Sequence, residues 1–454
     1  MKNKIILFGA GYYGEIAYKE LHRKHKIVCF ADNNEMLVGK TIENIPVILG
    51  ENILEYYDNE TDIVISSSFY YEISNQLYNK GLTKFYIMLD GCLYENQEYG
   101  KFRPRKRCSR CVMDNDSDEM ILFNEHGQCN YCTSALKNIG KIYYPNEEGK
   151  RKLNDLISQI KDEGKDKKYD CVMGLSGGLD SSYLAYLGST WGLRILTIHI
   201  DDGYDTEISK KNLAKLVSAT GFDYEVVCPD AEQFNDLTLS YMKAGVPNID
   251  IPQDNILFAF IYKKMKEYNI KYFLSGSNFA LECILQRGNI YKSTDVVNIM
   301  DIHNRFGGKP IDKLEFLSTD QRKIDREKLG ILSPTPLDYI DYNRDRAFKE
   351  LKEFCGFEYY GRKHLENILT AFIQLYWFPK KFNVDKRTSH LSSMIASGQM
   401  TREKALELLE EPLYDEELMN EYISIIKNNM HISDEEFEVL MNAPTHQHNE
   451  YKTE

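Results

Sequence analysis

One stretch, residues 169–183, constrains the fold of this chain more than any other. It begins with the apolar run Tyr169-Asp-Cys-Val-Met-Gly-Leu and turns through Ser176-Gly-Gly-Leu-Asp-Ser-Ser. The apolar run predicts a buried strand, and the following Tyr183-Leu-Ala-Tyr-Leu predicts a helix. Two adjacent glycines let the backbone approach an anion closely, and the free N–H groups of a helix N-terminus point at that anion. The stretch therefore predicts a phosphate-binding turn in a parallel-sheet α/β fold.

The side chains of this turn suggest how phosphates would be held. A Walker-type loop would carry a lysine here, and this turn has none. Asp180 instead offers a carboxylate for Mg²⁺, and the serines offer hydroxyl groups. The alternative is an ordinary glycine-rich turn with an Asp/Ser helix cap. The predicted phosphate-binding residues of the turn are Ser176, Gly177, Gly178, Asp180, Ser181 and Ser182.

Composition restricts the class of protein. The chain has 454 residues, enough for two or three domains, and its 43% hydrophobic and 28% charged residues are typical of soluble globular proteins. A net charge of −13 weighs against a nucleic-acid partner, which usually leaves a basic surface. No apolar run approaches the length of a membrane span, and no signal peptide is apparent. The expectation is a cytoplasmic enzyme with no nucleic-acid partner and no membrane insertion.

Residues 1–100 are predicted to form a Rossmann-like domain. Gly9, Gly11 and Gly14 make a GxGxxG motif between a strand and a helix, and Asp32 ends the next strand. These four residues are candidate substrate contacts. The ligand could be a nucleotide-sugar or NAD, or the domain could serve assembly without a ligand, because fold alone does not decide function.

Residues 101–145 are predicted to form a zinc ribbon. Cys108 and Cys111 form one CxxC pair, and Cys129 and Cys132 form a second after 17 intervening residues. Four thiolates in this spacing predict a closed, structural Zn²⁺ site. Redox cysteines or an iron–sulfur cluster are the alternatives. Because all four ligands are cysteines, no open position for metal catalysis is expected.

Residues 146–345 are predicted to form the domain around the phosphate turn, with alternating strands and helices. Asp201, Asp202 and Gly203 follow its second strand, where an open α/β sheet binds its ligand. Gly276 opens a second glycine turn, and Asn278 and Glu282, four residues apart, share a helix face. For these last two, a helix cap and a surface acid are the alternative.

Residues 346–454 are predicted to be a helical C-terminal region. Lys386, Arg387 and His390 belong to a basic group that could bind the phosphates of an activated sugar or could simply face solvent. The segment Thr445–His448 is expected to fray.

Several motifs occur in a fixed order between residues 105 and 410. They are Cys108-x-x-Cys-Val-Met-Asp ahead of the second CxxC, Ser176-Gly-Gly-Leu-Asp-Ser-Ser, Gly276-Ser-Asn-x-x-x-Glu, Phe382-x-x-Asp-Lys-Arg-x-x-His-Leu-Ser-Ser and Ser397-Gly-Gln-Met-Thr-Arg. This series resembles the N-acetyl sugar amidotransferases of bacterial surface-glycan biosynthesis, the WbpG and PseA type, within the PP-loop ATP pyrophosphatase superfamily. The Rossmann-like domain is an addition to the usual pattern.

The resemblance implies an AMP-forming amidotransferase that uses ATP, Mg²⁺ and a structural Zn²⁺. Its substrate would be a UDP-linked acetamido uronic acid or a CMP-linked nonulosonate of the pseudaminic or legionaminic type, used for lipopolysaccharide O-antigen, capsule or flagellin. ATP would adenylate the acetamido oxygen, and ammonia would displace AMP to leave an acetamidino group.

The resemblance also implies residue roles. Asp180 would bind Mg²⁺, and Asp201, Asp202 and Gly203 would bound the nucleoside. Asn278 and Glu282 would orient the substrate or relay a proton. The sugar-nucleotide phosphates would be held by Lys386, Arg387 and His390.

The ammonia source is expected to lie outside this chain. No Gly-x-Cys-x-Gly glutaminase elbow occurs, and Lys2 in the second position leaves no N-terminal cysteine nucleophile. The resemblance therefore implies a separate glutaminase partner of the HisH type. Two other functions compete: a tRNA-modifying PP-loop thiolase, and a non-catalytic scaffold that binds nucleotide-sugars.

Overall fold

The computed structural model describes residues 1–96, 104–361 and 365–454. The predicted domain boundary at residues 100 and 101 lies outside the described residues. The chain divides into two compact units, Met1–Leu136 and Lys137–Glu454. The four-domain division stays a prediction, whereas the predicted α/β class with parallel sheets is confirmed. In the described part of the chain, no helix is both long enough and apolar enough to cross a membrane.

The first unit is built on a seven-stranded sheet with the order β3-β4-β2-β1-β5-β6-β7. Its five inner strands are parallel, and the outermost strand on each side pairs antiparallel with its neighbour. The strands are β1 (Lys4–Phe8), β2 (Lys26–Asp32), β3 (Thr41–Ile42), β4 (Ile45–Leu49), β5 (Thr61–Ile65), β6 (Tyr86–Leu89) and β7 (Cys92–Glu95). The helices are α1 (Tyr12–Leu21), α2 (Tyr70–Asn79) and α3 (Asn130–Asn138), which begins in this unit.

The predicted GxGxxG motif lies between β1 and α1. Gly9 has a φ of 121°, and a Cβ there would lie 2.4 Å from the carbonyl oxygen of Ser66. A Cβ on Gly14 would lie 2.0 Å from the carbonyl oxygen of Gly9, so only glycine fits either position. The Asp32 carboxylate accepts a hydrogen bond from the Ala10 N–H at 2.7 Å. Asp32 thus braces the glycine turn, and the ligand of this unit stays a prediction.

The second unit is built on a four-stranded sheet with the order β10-β9-β8-β11, and all of its strands are parallel. The strands are β8 (Cys171–Gly174), β9 (Ile195–Ile200), β10 (Asp223–Val227) and β11 (Phe273–Leu274). The chain moves outward from β8 through β9 to β10, then returns to place β11 on the other side of β8. This reversal makes the carboxyl ends of β8 and β11 a topological switch point, where open α/β sheets bind ligands.

Helices surround this sheet and form all of the regular structure after residue 344, apart from short turns. They are α4 (Glu147–Gly164), α5 (Leu179–Thr190), α6 (Glu207–Thr220), α7 (Ala231–Ala244), α8 (Ile251–Glu267), α9 (Phe279–Glu282), α10 (Val296–Phe306), α11 (Thr319–Leu329), α12 (Arg344–Cys355), α13 (Ile368–Phe372), α14 (Phe378–Phe382), α15 (Arg387–Ala396), α16 (Arg402–Glu410), α17 (Glu416–Met430) and α18 (Asp434–Asn442). The predicted helical C-terminal region is therefore confirmed for the described residues.

A π-helical turn, Ile373–Trp377, joins α13 to α14. Pro379 explains the widening, because proline cannot donate the helical hydrogen bond and its ring crowds the carbonyl four residues earlier. Such turns often occur at functional sites. This one places the fully buried Trp377 in the helical core, where its indole N–H donates to the carbonyl oxygen of Val246 at 3.1 Å.

The segment around Thr445–His448 is docked, so the prediction that it frays is wrong. His448 is 3% exposed and stacks on Tyr291 with ring centroids 4.2 Å apart. The Asn298 amide donates to the His448 carbonyl oxygen at 3.0 Å, and its own oxygen lies 2.9 Å from His448 Nδ1. The Tyr451 hydroxyl donates to the Ala244 carbonyl oxygen at 2.7 Å. Burial lowers the pKa of His448 to about 3.

Candidate active site

The turn after β8 is built on two glycines, as predicted. Gly177 has a φ of 77°, and a Cβ there would lie 2.1 Å from the hydroxyl oxygen of Ser209. A Cβ on Gly178 would lie 2.4 Å from a carboxylate oxygen of Glu366. Gly178 is the N-cap of α5, and its N–H donates to the Ser176 hydroxyl at 3.1 Å. The backbone therefore approaches its neighbours too closely for any side chain at these positions.

Three side chains from distant parts of the chain contact this turn. Tyr342 donates a short hydrogen bond to the Asp180 carboxylate. Tyr360 accepts a hydrogen bond from the Leu179 N–H at 2.7 Å. Glu366 accepts one from the Ser176 hydroxyl at 3.4 Å. Burial and the charge of Asp180 raise the pKa of Tyr342, so its phenol stays protonated and can hold that carboxylate.

The turn forms one wall of a cavity of about 470 Å³ at the carboxyl edge of the sheet. A Cβ on Gly276 would lie 3.2 Å from the Ser181 backbone nitrogen, so the second glycine turn faces the first across the switch point, as expected. The predicted residues that line the cavity are Ser176, Gly178, Asp180, Ser181, Gly276 and Glu282. Gly177 packs on Ser209, and Ser182 is fully buried, so neither lines it.

The loop after β9 uses its acidic side chains to hold its own shape. Asp202 is 5% exposed and accepts hydrogen bonds from the Tyr204 N–H at 2.9 Å and the Asn367 amide at 3.2 Å. Burial raises the pKa of Asp202 to about 6. Asp201 accepts from the Gly203 N–H at 3.1 Å. None of the three predicted residues of this loop lines the cavity, and their contact with a nucleoside stays a prediction.

Asn278 takes the role that sequence left as the alternative. It is 4% exposed, and its side-chain oxygen accepts from the Leu281 N–H at 2.9 Å as the N-cap of α9. Its amide donates to the Gly276 carbonyl oxygen at 3.2 Å. Asn278 therefore shapes the second glycine turn and does not line the cavity, whereas Glu282 does.

A buried histidine on β9 contacts the residue that precedes the phosphate turn. His199 Nδ1 lies 2.7 Å from the Leu175 carbonyl oxygen, and Nε2 lies 2.7 Å from a carboxylate oxygen of Asp205. A carbonyl and a carboxylate only accept hydrogen bonds, so both ring nitrogens carry protons. Burial opposes protonation, but the hydrogen bond and charge of Asp205 outweigh it and raise the pKa of His199. The arrangement fixes an imidazolium ion beneath the turn.

The described wall of the cavity carries several carboxylates. Among the described lining residues, Arg344 is the one side chain with a permanent positive charge. The lining carboxylates are Asp180, Asp205, Asp250, Asp254, Glu282 and Glu366. Carboxylates are the oxygen ligands that Mg²⁺ prefers. The wall is therefore suited to a nucleotide that enters with Mg²⁺.

Asp254 titrates near neutrality. Its side chain is exposed to the cavity, and the partial loss of hydration there, with the negative charge of Asp250, raises the pKa of Asp254 to about 7. The two acids lie one helical turn apart at the start of α8. A carboxyl group with such a pKa can give or accept a proton at physiological pH.

The raised pKa predicts that Asp254→Asn stabilises the protein at neutral pH. Below about pH 4 both folded and unfolded wild-type protein carry the proton, so wild type and variant should differ little. As the pH rises toward 7, only the unfolded wild type ionises fully, so the melting temperature of the variant should exceed that of wild type by a growing margin. Thermal melts across this range test the prediction.

Asp250→Asn provides the matched control for that experiment. Removal of the Asp250 charge lowers the pKa of Asp254. The loss of stability with rising pH should therefore end at a lower pH in Asp250→Asn than in wild type. A difference in melting temperature between wild type and Asp254→Asn that does not vary with pH would contradict the assignment.

The predicted basic residues line a second cavity, where Arg387 already forms hydrogen bonds with other parts of the chain. Its guanidinium pairs with Asp385 at 2.8 Å and donates to the carbonyl oxygens of Leu408 at 3.2 Å and Glu411 at 2.8 Å. Arg387 thus caps the C-terminus of α16 and has few donors left for phosphate. Lys386 lies over the Phe378 ring at 4.4 Å. Lys386, Arg387 and His390 all line this second cavity.

Arg387→Ala should therefore destabilise the fold. Loss of charged hydrogen bonds to the end of α16 is expected to lower the free energy of unfolding by about 1–3 kcal/mol, as measured by urea denaturation. Lys404→Ala, at an exposed position on α16, is the control and should change it by less than about 0.5 kcal/mol. An unchanged unfolding free energy for Arg387→Ala would contradict the capping role.

In the first unit, the four predicted cysteines form one cluster. All are buried, and their sulfur atoms lie within 4.8 Å of one another. The Cys108–Cys132 and Cys111–Cys129 sulfur distances are 3.7 and 3.6 Å. A metal–sulfur length of about 2.3 Å gives a tetrahedral edge of about 3.8 Å. The Cys108 sulfur also accepts a hydrogen bond from the Cys129 N–H at 3.2 Å. The cluster fits a structural zinc ion.

One family comparison concerns the C-terminal helical region, whose first residues line the cavity beside the phosphate turn. Residues 366–454 match the family model described as LPS biosynthesis protein WbpG-like, C-terminal domain. The chain therefore carries a WbpG-like domain. This confirms the resemblance to the WbpG type. The WbpG-like domain begins at Glu366 and also contributes Asn367, Thr370 and Gln374 to the cavity wall. Residues 1–88 match a second model, C2185-like, N-terminal.

Individual relatives are distant. The uncharacterized protein MJ1599 of Methanocaldococcus jannaschii is 20% identical over 320 residues, which are 69% of this chain and 97% of that protein. NMN synthetase from Francisella tularensis is 16% identical over 52% of this chain and 95% of its own, with a TM-score of 0.24. NH3-dependent NAD synthetase from Campylobacter jejuni is 14% identical over 66% of this chain and 98% of its own, with a TM-score of 0.26.

Proposed function

We propose that this chain is an ATP-dependent, AMP-forming amidotransferase of surface-glycan biosynthesis. It would convert the acetamido group of a nucleotide-activated sugar into an acetamidino group. The observation that carries the proposal is one cavity in which the phosphate turn, the second glycine turn and the first residues of the WbpG-like domain meet. The carboxylates of the described wall, suited to a nucleotide that enters with Mg²⁺, support ATP as the co-substrate.

The chemistry requires activation of a poor electrophile. An amide oxygen is a poor leaving group. Transfer of the adenylyl group from ATP to that oxygen releases pyrophosphate and makes the oxygen part of AMP, which is a good leaving group. Attack of ammonia at the same carbon then expels AMP and forms the C–N bond of the amidine. Both steps develop charge at fixed positions, so catalysis depends on positioning and electrostatic stabilisation.

Each of these residues of the cavity would have a separate role in the reaction. The glycine turn would hold phosphates against the α5 N-terminus, above the His199 imidazolium. Asp180 and Glu282 would hold Mg²⁺, which neutralises phosphate charge when bound. Asp254 would accept a proton released when ammonia attacks, because its pKa lies near neutrality.

The proposal includes a separate glutaminase partner of the HisH type as the source of ammonia. The isolated chain should form product with ammonium and none with glutamine. Glutamine-dependent turnover by the chain alone would contradict the need for a partner. A cytoplasmic location is part of the proposal, because a reducing compartment keeps the four-cysteine cluster free to bind metal.

Mass spectrometry of nucleotide-sugars incubated with protein, ATP, Mg²⁺ and ammonium tests the proposal. The expected product is lighter than its substrate by the difference between an oxygen atom and an NH group, and forms with equimolar AMP. AMP without a modified sugar would favour another acceptor, such as the tRNA of a thiolase. If neither AMP nor a modified sugar formed, a non-catalytic scaffold that binds nucleotide-sugars would be favoured.

A further inference from the structure

A second cavity of about 500 Å³ adjoins the ATP cavity. Both cavities are lined by Leu281, Arg344, Tyr359, Tyr360 and Gln374. The second cavity extends from these shared residues between α15, α16 and α17. A ligand could thus occupy both spaces, with its reacting group beside the phosphate turn and its remainder in the second cavity.

The wall of the second cavity is mostly apolar and aromatic. Its lining includes Met394, Met400, Leu408, Leu413, Tyr414 and Tyr422. Tyr414 also contacts Tyr376, with ring centroids 5.9 Å apart. Thioether and aromatic side chains make favourable contacts with a planar ring.

Two polar side chains, Arg344 and Gln374, lie at the junction of the two cavities. Gln374 lies on the π-helical turn, and its amide makes no hydrogen bond within the described residues. Arg344 lies over the Tyr359 ring at 5.2 Å. A hydrogen-bonding amide and a guanidinium at this point suit the polar, phosphorylated middle of a ligand whose planar end lies beyond them.

We propose that the second cavity binds the nucleobase of the acceptor nucleotide-sugar, with Arg344 and Gln374 contacting its polar middle. This inference rests on the proposed function. The volume is that of a small-molecule site, and most of its wall is apolar. The base-binding surface therefore lies in the WbpG-like domain, apart from the adenine of ATP.

Nucleotide binding by the full chain tests this assignment directly. UMP and CMP are titrated by calorimetry in the presence of saturating AMP, which occupies the ATP cavity. At least one of them should bind wild type. Met394→Trp, which fills the second cavity from α15, should weaken that binding at least about tenfold. Tyr414→Ala removes a ring from the wall and should weaken it as well.

Two controls show whether the effect is local. Val439→Trp places the same bulky side chain at an exposed position on α18 and should leave UMP and CMP binding unchanged. AMP binding to Met394→Trp should change by less than about twofold. Failure of both nucleotides to bind wild type, or equal binding by wild type, Met394→Trp and Tyr414→Ala, would overturn the proposal.

The titration measures nucleotide binding without turnover. Its result therefore does not depend on whether the proposed reaction occurs. Amidination by Met394→Trp with an unchanged KM for the nucleotide-sugar would contradict the base site alone. UMP or CMP binding that depends on Met394, without any amidination, would support the site and contradict the reaction.

Discussion

Asp180→Asn should lower the rate of AMP formation by at least about 10²–10³-fold, the usual cost of losing one preorganised electrostatic contact to the reacting groups. The carboxylate lies in the first turn of α5, lines the cavity and is held by the Tyr342 phenol. Asparagine keeps the shape and removes the charge that would attract Mg²⁺. AMP release is measured with saturating ATP, acceptor and ammonium.

Tyr342→Phe is the matched control, because it leaves the Asp180 charge and removes only the hydroxyl that orients it. Its rate should fall less than that of Asp180→Asn, and higher Mg²⁺ should restore part of it. Near-wild-type AMP formation by Asp180→Asn would remove Asp180 from the catalytic machinery. Melting temperatures of both variants show whether each is folded.

Cys129→Ser should remove the bound metal and unfold the region around the four-cysteine cluster. Structural zinc contributes about 10–16 kcal/mol in small zinc-binding peptides, which is as large as the total stability of an ordinary domain, about 5–15 kcal/mol. The cluster lies inside the first unit, so the loss should appear there first. Metal content per chain and proteolysis of residues 104–136 provide the two measurements.

Cys228→Ser is the control, because Cys228 is an exposed thiol in the second unit. It should keep the metal and the protease resistance of wild type. If purified wild-type protein held no zinc, or if Cys129→Ser kept an equimolar amount, the structural zinc assignment would be wrong.

Local sequence patterns predicted the parts of the site that depend on neighbouring residues. Gly177 and Gly276 could be placed because a strand, a glycine and a helix in succession define a turn whatever surrounds it. The cysteine cluster could be placed because two CxxC pairs at this spacing define a set of four ligands whatever surrounds them. In contrast, Tyr342 and Glu366 belong to no recognisable motif, and only the tertiary fold brings them to the phosphate turn.

Residue type alone does not show which partners a side chain has in the fold. Arg387 has the chemistry of a phosphate ligand, yet the end of α16 lies within its reach and takes its donors. Asn278 has the periodicity of a cavity residue, yet it caps α9. Helical spacing shows which residues share a face, but it does not show which backbone groups need a partner. His199 carried one signal that could have been used, a titratable side chain in an otherwise apolar strand.

The docking of His448 makes the C-terminal helices sensitive to acid. Its Nδ1 carries the hydrogen that faces Asn298, and Nε2 has no hydrogen-bond partner within the described residues. A proton on Nε2 would therefore place a charge against the rings of Tyr241 and Tyr291, and the negative charge of Asp295 offsets only part of the cost of burying it. Because the folded pKa of His448 lies below that of the unfolded chain, its stabilising contribution is complete above about pH 6.5 and is lost as the pH falls toward 3. Mild acid would thus release the segment around His448 from α7 and α10 and expose the helices it covers.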